Sequence, residues 1–206
     1  MRTLAIDCAT EACSVALFDD DHLVAGECVI LGRGHAERLV PLIASLPAKG
    51  RADRVAVSIG PGSFTGLRVG IAAARALAMA WRAEIVGFPT LELVAAMARM
   101  ESGTVDVLVA MTGGHGEWFV QDFDEGGIAR TDVQSIAPDA AAASFATEHV
   151  AGSQAEALVS RRASGKAHSL LPDARYINLL SQRVFSSSVQ PIYGRGPDAQ
   201  LPGSVR

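Results

Sequence analysis

Three short β-rich runs open the chain, "RTLAIDC", "CSVALFD" and "LVAGECVIL", and the acidic "DDD" at 19–21 separates the second from the third. Together they predict an antiparallel meander with a solvated turn. In "HAERLVPLIASL", Leu39, Leu42, Ile43 and Leu46 fall at helical spacing, with Pro41 inside, so a kinked helix is expected there. "RVAVSI" at 54–59 reads as a buried strand ending at Gly60, "EIVGF" as another strand, and "PTLELVAAMARM" as a helix begun by Pro89.

A weaker echo of the opening follows. "VDVLVAM", "EWFVQDF", a "DEGG" turn and "IARTDV" repeat the order strand, strand, turn, strand. A domain boundary is expected between Glu101 and Thr104, separating residues 1–102 from 103–206. Beyond that echo, "PDAAAASFATEHV" and "ARYINLLSQRVF" predict helices, and "VQPIYGRGPDAQLPGSVR" a Gly/Pro-rich, partly mobile end.

The least polar stretch is "SIGPGSFTGLRVGIAAARALAMAW", Ser58 to Trp81. From Gly66 to Arg82 its only charges are Arg68, Arg75 and Arg82, spaced by seven and so confined to one narrow stripe. Leu67, Ile71, Ala74, Ala78 and Trp81 form an apolar seam, widened by Val69, Ala72, Ala73, Ala76 and Ala80. A helix this dry is buried on more than one side. Either part of it meets another subunit, or it is sandwiched inside its own domain.

Composition narrows the classes of function. With 206 residues, 49% of them apolar, and a mean hydropathy of +0.24, a sizeable core is assured. A formal charge of −4 and a pI near 5.7 argue against autonomous RNA binding. Cys8, Cys13 and Cys28 contain no C-x-x-C pair and read as reduced thiols in a core. Asp7 and Glu11 interrupt the apolar start before a signal sequence could form, and no uncharged run reaches membrane-spanning length, so a cytoplasmic protein without a membrane partner is expected.

Candidate chemistry is thin. "GPGSFTG" lacks the lysine of a phosphate-binding P-loop and the third glycine of a dinucleotide fingerprint. The amides of the following helix could hold an anion, but Ser63 or Thr65 as a helix cap is the plainer reading. His22, His35, His115, His149 and His168 are scattered, with no pair four residues apart, so no metal site is expected. Asp7 and Glu11 could begin a metal nuclease pair, but the further converging acids are missing.

"LAIDCATEACSVALFDDD", "GHAERLVPLI", "IGPGSFTGLRVGIAAARALA" and "FPTLELVAA" resemble the bacterial TsaB (YeaZ) family, closely over residues 3 to 100 and more loosely beyond, through "GEWFVQDF" and "PIYGR". The resemblance implies an α/β, duplicated ribonuclease-H-like fold in two lobes, shared with actin, heat-shock chaperones and sugar kinases. It also implies a catalytic sister, TsaD, whose histidine pair holds a metal. Pro89 and Leu93 stand where those histidines would fall. Active members of the fold place an acid on the first strand of each half. Asp7 fills that place in the first half, whereas Met111 and Thr112 carry no charge in the second.

The resemblance thus implies a non-catalytic subunit with no cofactor of its own. Asp7, Gly60 and Gly62 are weak candidates for a residual nucleotide site, with ATP or ADP held, if anywhere, at an interface with partners. The expected docking surface comprises His35, Leu39, Leu42, Leu67, Arg68, Ile71, Ala74, Arg75 and Ala78. Its expected occupant is TsaD, with TsaE as a further partner, a functional link to TsaC and tRNA, and a homodimer when the chain is alone. The alternatives are an ATP-dependent phosphotransferase that retains Asp7, and a metallopeptidase, which the absence of ligands disfavours.

Overall fold

The computed structural model describes residues 1–194. Strands β1 (Arg2–Asp7), β2 (Ala12–Asp19) and β3 (His22–Ile30) form the expected meander, followed by helix α1 (His35–Ser45), β4 (Arg54–Gly60), α2 (Phe64–Trp81), β5 (Glu84–Pro89) and α3 (Thr90–Ser102). The second half comprises β6 (Val107–Thr112), β7 (Trp118–Phe123), β8 (Gln134–Ile136), α4 (Pro138–Ser144), β9 (His149–Ala151), α5 (Ala155–Arg162) and β10 (Lys166–His168).

The two sheets have one topology. The first runs β3-β2-β1-β4-β5 and the second β8-β7-β6-β9-β10, each with two antiparallel hairpin strands and then two parallel additions. This is the duplicated, two-lobed ribonuclease-H-like architecture.

Side-chain alternation along the first sheet serves two layers. Leu4, Ile6, Val15, Leu17, Val55 and Val57 point toward Leu39, Leu42 and Ile43 of α1 and Ile71, Ala74 and Ala78 of α2. From the opposite face, Ala5, Ala16, Phe18, Ala56, Val86 and Phe88 meet Leu93, Ala96 and Met97 of α3. The other side of α3 presents Leu91, Val94, Ala95 and Ala98 to Val107, Val109, Met111 and Phe123 of the second sheet. Helix α3 is therefore the sandwiched one. Helices α4 and α5 cover the outer face of the second sheet through Ala141, Ala155 and Leu158.

Several expectations for the second half are corrected. "IARTDV" is not a strand: Asp124 accepts from the amides of Gly127 and Ile128, Arg130 grips Asp106, and the turn so enlarged delays β8 to Gln134. The helix expected over 138–150 stops at Ser144, because Phe145 turns extended and His149–Ala151 supplies a parallel partner to β6. Helix α5 and strand β10 carry too few apolar positions for their pattern to announce them. Residues 174–185 form two 3₁₀ turns, Ala174–Leu179 and Gln182–Val184, instead of one helix. Ala174, Ile177 and Leu180 recur every three residues, the period at which 3₁₀ side chains eclipse, and all three are buried against the first sheet. The chain after Asp173 thus packs with the first lobe, and Val189 reaches its core. Most of the expected mobile end, residues 195–206, lies outside the described residues.

Leu93 faces one sheet and Val94 the other. Replacing both with alanine should cost more than either change alone and lower the stability of the whole molecule in a single transition, with single costs of about 2–4 kcal/mol each. Denaturant melts followed by near-UV and far-UV signals would check this, and two separated transitions would contradict it.

Candidate functional site

The glycine elbow after β4 is a joint between protein segments. Gly60 has φ +100°, a conformation that favours glycine, and precedes a cis peptide bond to Pro61. A Cβ on Gly60 would stand 2.7 Å from the Ile192 carbonyl oxygen. On Gly62 a Cβ would collide with the Ala9 backbone, and on Gly66 with the Cys8 carbonyl. The Ser63 amide donates to the Ala9 carbonyl at 2.7 Å, and the Ser63 hydroxyl caps α2 by accepting from the Gly66 amide at 3.2 Å. Polypeptide fills the close approach at Gly60, whereas Gly62 packs on the Ala9 backbone and also borders the cleft between the lobes.

The turn that the elbow grips, residues 8–12, is also held from α1. His35 Nε2 donates to the carbonyls of Thr10 and Ala12, at 2.9 and 3.3 Å. Between this turn, the start of α2 and the β6–β7 turn lies an interlobe cleft of about 810 Å³. Its walls include Thr10, Glu11, Gly62, Phe64 and Arg68 from the first lobe and Thr112, Gly113, His115, Phe119 and Ser153 from the second. Tyr193 closes one side, 5.4 Å from the Phe64 ring, while the Arg68 guanidinium lies 3.6 Å from the centre of that ring on α2.

Asp7 does not line this cleft. It is fully buried at the end of β1, on the face of the sheet opposite α2. Its Oδ1 accepts from the Ala9 amide at 2.9 Å, and its Oδ2 has no hydrogen-bond partner among the described residues. Burial pushes its pKa up to about 7, with the charge of Asp173 adding to the rise while the Ala9 amide and the Ser58 hydroxyl oppose it. At the equivalent end of β6, Thr112 accepts from Gln154 Nε2 and its amide donates to the Ser153 hydroxyl. One acid arm is sealed in the core and the other is a neutral hydroxyl, so among the described residues these two positions present no pair of carboxylates to the cleft.

The expected docking residues separate into two groups. Leu39, Leu42, Leu67, Ile71, Ala74 and Ala78 are at most 6% exposed and belong to the interior of the chain. His35 is buried too, tied to the 8–12 turn. As contact residues these seven are corrected: the first sheet covers the seam that an outside partner would have covered. Arg68 and Arg75 remain exposed, and Arg75 Nη2 donates to the Val189 carbonyl at 2.7 Å. The outer face of α2 instead shows Ala72, Ala76, Met79 and Ala80, with Met79 80% exposed, and α1 exposes Val40, which is 60% exposed.

Sequence spacing concealed one cluster. The parallel register of β9 and β10 brings His149 Nδ1 within 3.0 Å of His168 Nε2, and the Ser102 hydroxyl lies 3.3 Å from the same nitrogen. Among the described residues no three His, Cys, Asp or Glu side chains converge as a metal centre. Nor, among them, is any helix long and apolar enough to cross a membrane.

Fold and cleft thus define a two-lobed ribonuclease-H-like protein in which Asp7 lies away from the interlobe cleft and Thr112 ends β6. The family described as "TsaD: tRNA N6-adenosine threonylcarbamoyltransferase" matches residues 29–187, and the chain belongs to that family, on its TsaB/YeaZ side. It is 39% identical over 135 residues to the tRNA threonylcarbamoyladenosine biosynthesis protein TsaB of Escherichia coli (strain K12), covering 62% of this chain and 58% of that protein. It is 32% identical to TsaB of Bacillus subtilis (strain 168), over 51% of this chain and 48% of that protein. The chain therefore spans about half the length of the curated relatives it matches. YeaZ from Pseudomonas aeruginosa is structurally similar, with a TM-score of 0.75 and 26% identity over 93% of this chain and 99% of that one. A second Pseudomonas aeruginosa structure, described as similar to peptidase YEAZ, gives 0.78 and 28% over 94% and 99%.

The sealed carboxyl generates a pH signature. Asp7 keeps its proton to about pH 7 when folded but loses it near 3.8 when unfolded, so the stability it confers is full below about pH 4 and is lost as pH rises through 7. The unfolding free energy of the wild type relative to Asp7→Asn should fall by about 3 kcal/mol between pH 5 and pH 8. Paired denaturant melts across that range would measure it, and a pH-independent difference would contradict the assignment.

Proposed function

We propose that this chain is a non-catalytic partner subunit in forming N6-threonylcarbamoyladenosine on tRNAs that read codons beginning with A, and that it acts by binding and supporting a TsaD-type catalytic subunit. The observation that carries this reading is the pairing of a disarmed cleft with a bare helical face. Asp7 is enclosed and Thr112 stands at the end of β6, an arrangement that supports a chain without a phosphoryl-transfer centre of its own. Meanwhile Ala72, Ala76 and Ala80 leave room for a partner helix to approach the α2 backbone, with Met79 and Val40 as the larger apolar contacts. The names of the curated relatives place them in the same tRNA modification.

In this reading the chain has no cofactor of its own, and ATP or ADP acts on the assembly through partners such as TsaE. TsaC supplies the activated threonylcarbamoyl group, and tRNA is bound by the assembly instead of by this acidic chain alone. Without the catalytic subunit, the same face would pair with a second copy about a twofold axis. The work is assigned to the cytoplasm.

Reconstitution with labelled threonine, with and without the chain, tests the proposal. Modification should depend on the chain, and equal incorporation in its absence would overturn the reading. Ala76→Glu, on the exposed face, should weaken association with the catalytic subunit at least tenfold, equivalent to about 1.4 kcal/mol or more, while the melting temperature shifts by only a few degrees. Ile71→Glu, in the core, should instead unfold the chain.

A further inference from the structure

We propose that Cys8 and Cys13 form a peroxide-sensitive dithiol, and that its oxidation to a disulfide reshapes the N-terminal ends of α1 and α2. Cys8 follows β1 and Cys13 lies in β2, facing each other across the turn end of the hairpin, one step beyond the Asp7–Ser14 pair, with sulfurs 3.6 Å apart. Both are buried in the layer beneath α1 and α2. Cys28 sits elsewhere. It pairs in register with Ser14 and lies on the opposite face of the strand pair, near Asp173 and Arg175.

A disulfide would draw the two sulfurs to about 2.0 Å. The surroundings leave little slack to absorb that movement. Gly66 is packed against the Cys8 carbonyl, and a Cβ on Gly70 would stand 3.7 Å from the Cys8 sulfur. Ala9 accepts the Ser63 amide on the α2 side, while Thr10 and Ala12 accept His35 on the α1 side. The segment between the cysteines is thus bonded to the first turn of both helices, and a close-packed interior passes the displacement on to them. Its consequence for docking rests on the function proposed above, because these two helices carry the bare face.

The chemistry needs a peroxide, whose size suits a buried pair better than a bulky disulfide reagent. The hydrogen bond from Cys8 lowers the Cys13 thiol from its ordinary value, helped by the charge of Arg38 and opposed by burial and the charge of Asp7, while the same contact and burial raise Cys8, so Cys13 is the more readily ionised of the pair. As the Cys13 thiol gives up its proton, its sulfur attacks one peroxide oxygen, the O–O bond breaks, and the departing oxygen takes up that proton and leaves as water, giving a sulfenic acid. Cys8 then attacks that sulfur, the S–O bond breaks, and a second water leaves with the Cys8 proton. Two thiols and one hydrogen peroxide become one disulfide and two waters.

The full chain would be treated with hydrogen peroxide under native conditions, alkylated, and cleaved after Glu11 and Glu27, which places each cysteine in a separate peptide. The Cys8 and Cys13 peptides should appear linked, unchanged in Cys28→Ser, absent in Cys13→Ser, and separated again by dithiothreitol. Separately alkylated peptides, or linkage only through Cys28, would overturn the proposal. Hydrogen exchange of the oxidised chain should change at least threefold at amides 35–39 and 63–70, and unchanged exchange despite the linkage would overturn the reshaping. Association of reduced and oxidised chain with the catalytic subunit is read separately: if the reduced chain binds no partner, the docking reading fails, while the linkage and exchange results still judge the dithiol.

Discussion

Burial of α3 on both sides is the constraint from which the architecture follows. Thr90, Leu91, Leu93, Val94, Ala95, Ala96, Met97 and Ala98 are all buried, so this helix has almost no wet face. Its Leu93 side completes the first sheet's core and its Val94 side that of the second. Neither sheet can cover its inner face without it. The two repeats are consequently coupled by a shared helix, whose side chains contribute about 1.5–3 kcal/mol for each large apolar residue removed from water.

With the sheets held apart by α3, their strand ends face one another and a cleft opens between them. The same geometry decides what the cleft can do. Residues 173–180 return to the first sheet, where the Ala174 amide donates to the Ser14 hydroxyl, and they complete the layer in which Asp7 is enclosed. A carboxyl so placed makes the stability of the fold depend on pH. On the other face of the sheet, the turn at residues 8–12 is bonded to both α1 and α2, so any change there reaches the outer helices.

Much of the first lobe was legible because its strands and helices are long and their periods unambiguous. The meander, the elbow and α2 fall within a residue or two of their patterns. The acid expected at β1 and the neutral residue expected at β6 occupy equivalent strand ends, as the shared topology requires. Seven of the side chains expected on the docking surface turn inward for a definite reason. Leu67, Ile71, Ala74 and Ala78 form an apolar seam, and a seam covered by its own sheet has the same spacing as one covered by a partner. Only the exposed Ala72, Ala76, Met79 and Ala80 separate the two cases, and alanine is too neutral to mark an outer face by pattern.

The second lobe shows the opposite limit. Strands β8, β9 and β10 are three residues each, too short for alternation to register, and they exist because neighbouring strands offer hydrogen-bonding edges. Apolar periodicity, glycine placement and the missing second acid were determined by the sequence alone, since each depends on local spacing or residue identity. Which face of α2 is covered, where Asp7 points, how Cys8 meets Cys13 and how His149 meets His168 were decided only by the tertiary structure. Those relations join residues through strand pairing and sheet packing, and nothing in the linear order of the chain records them.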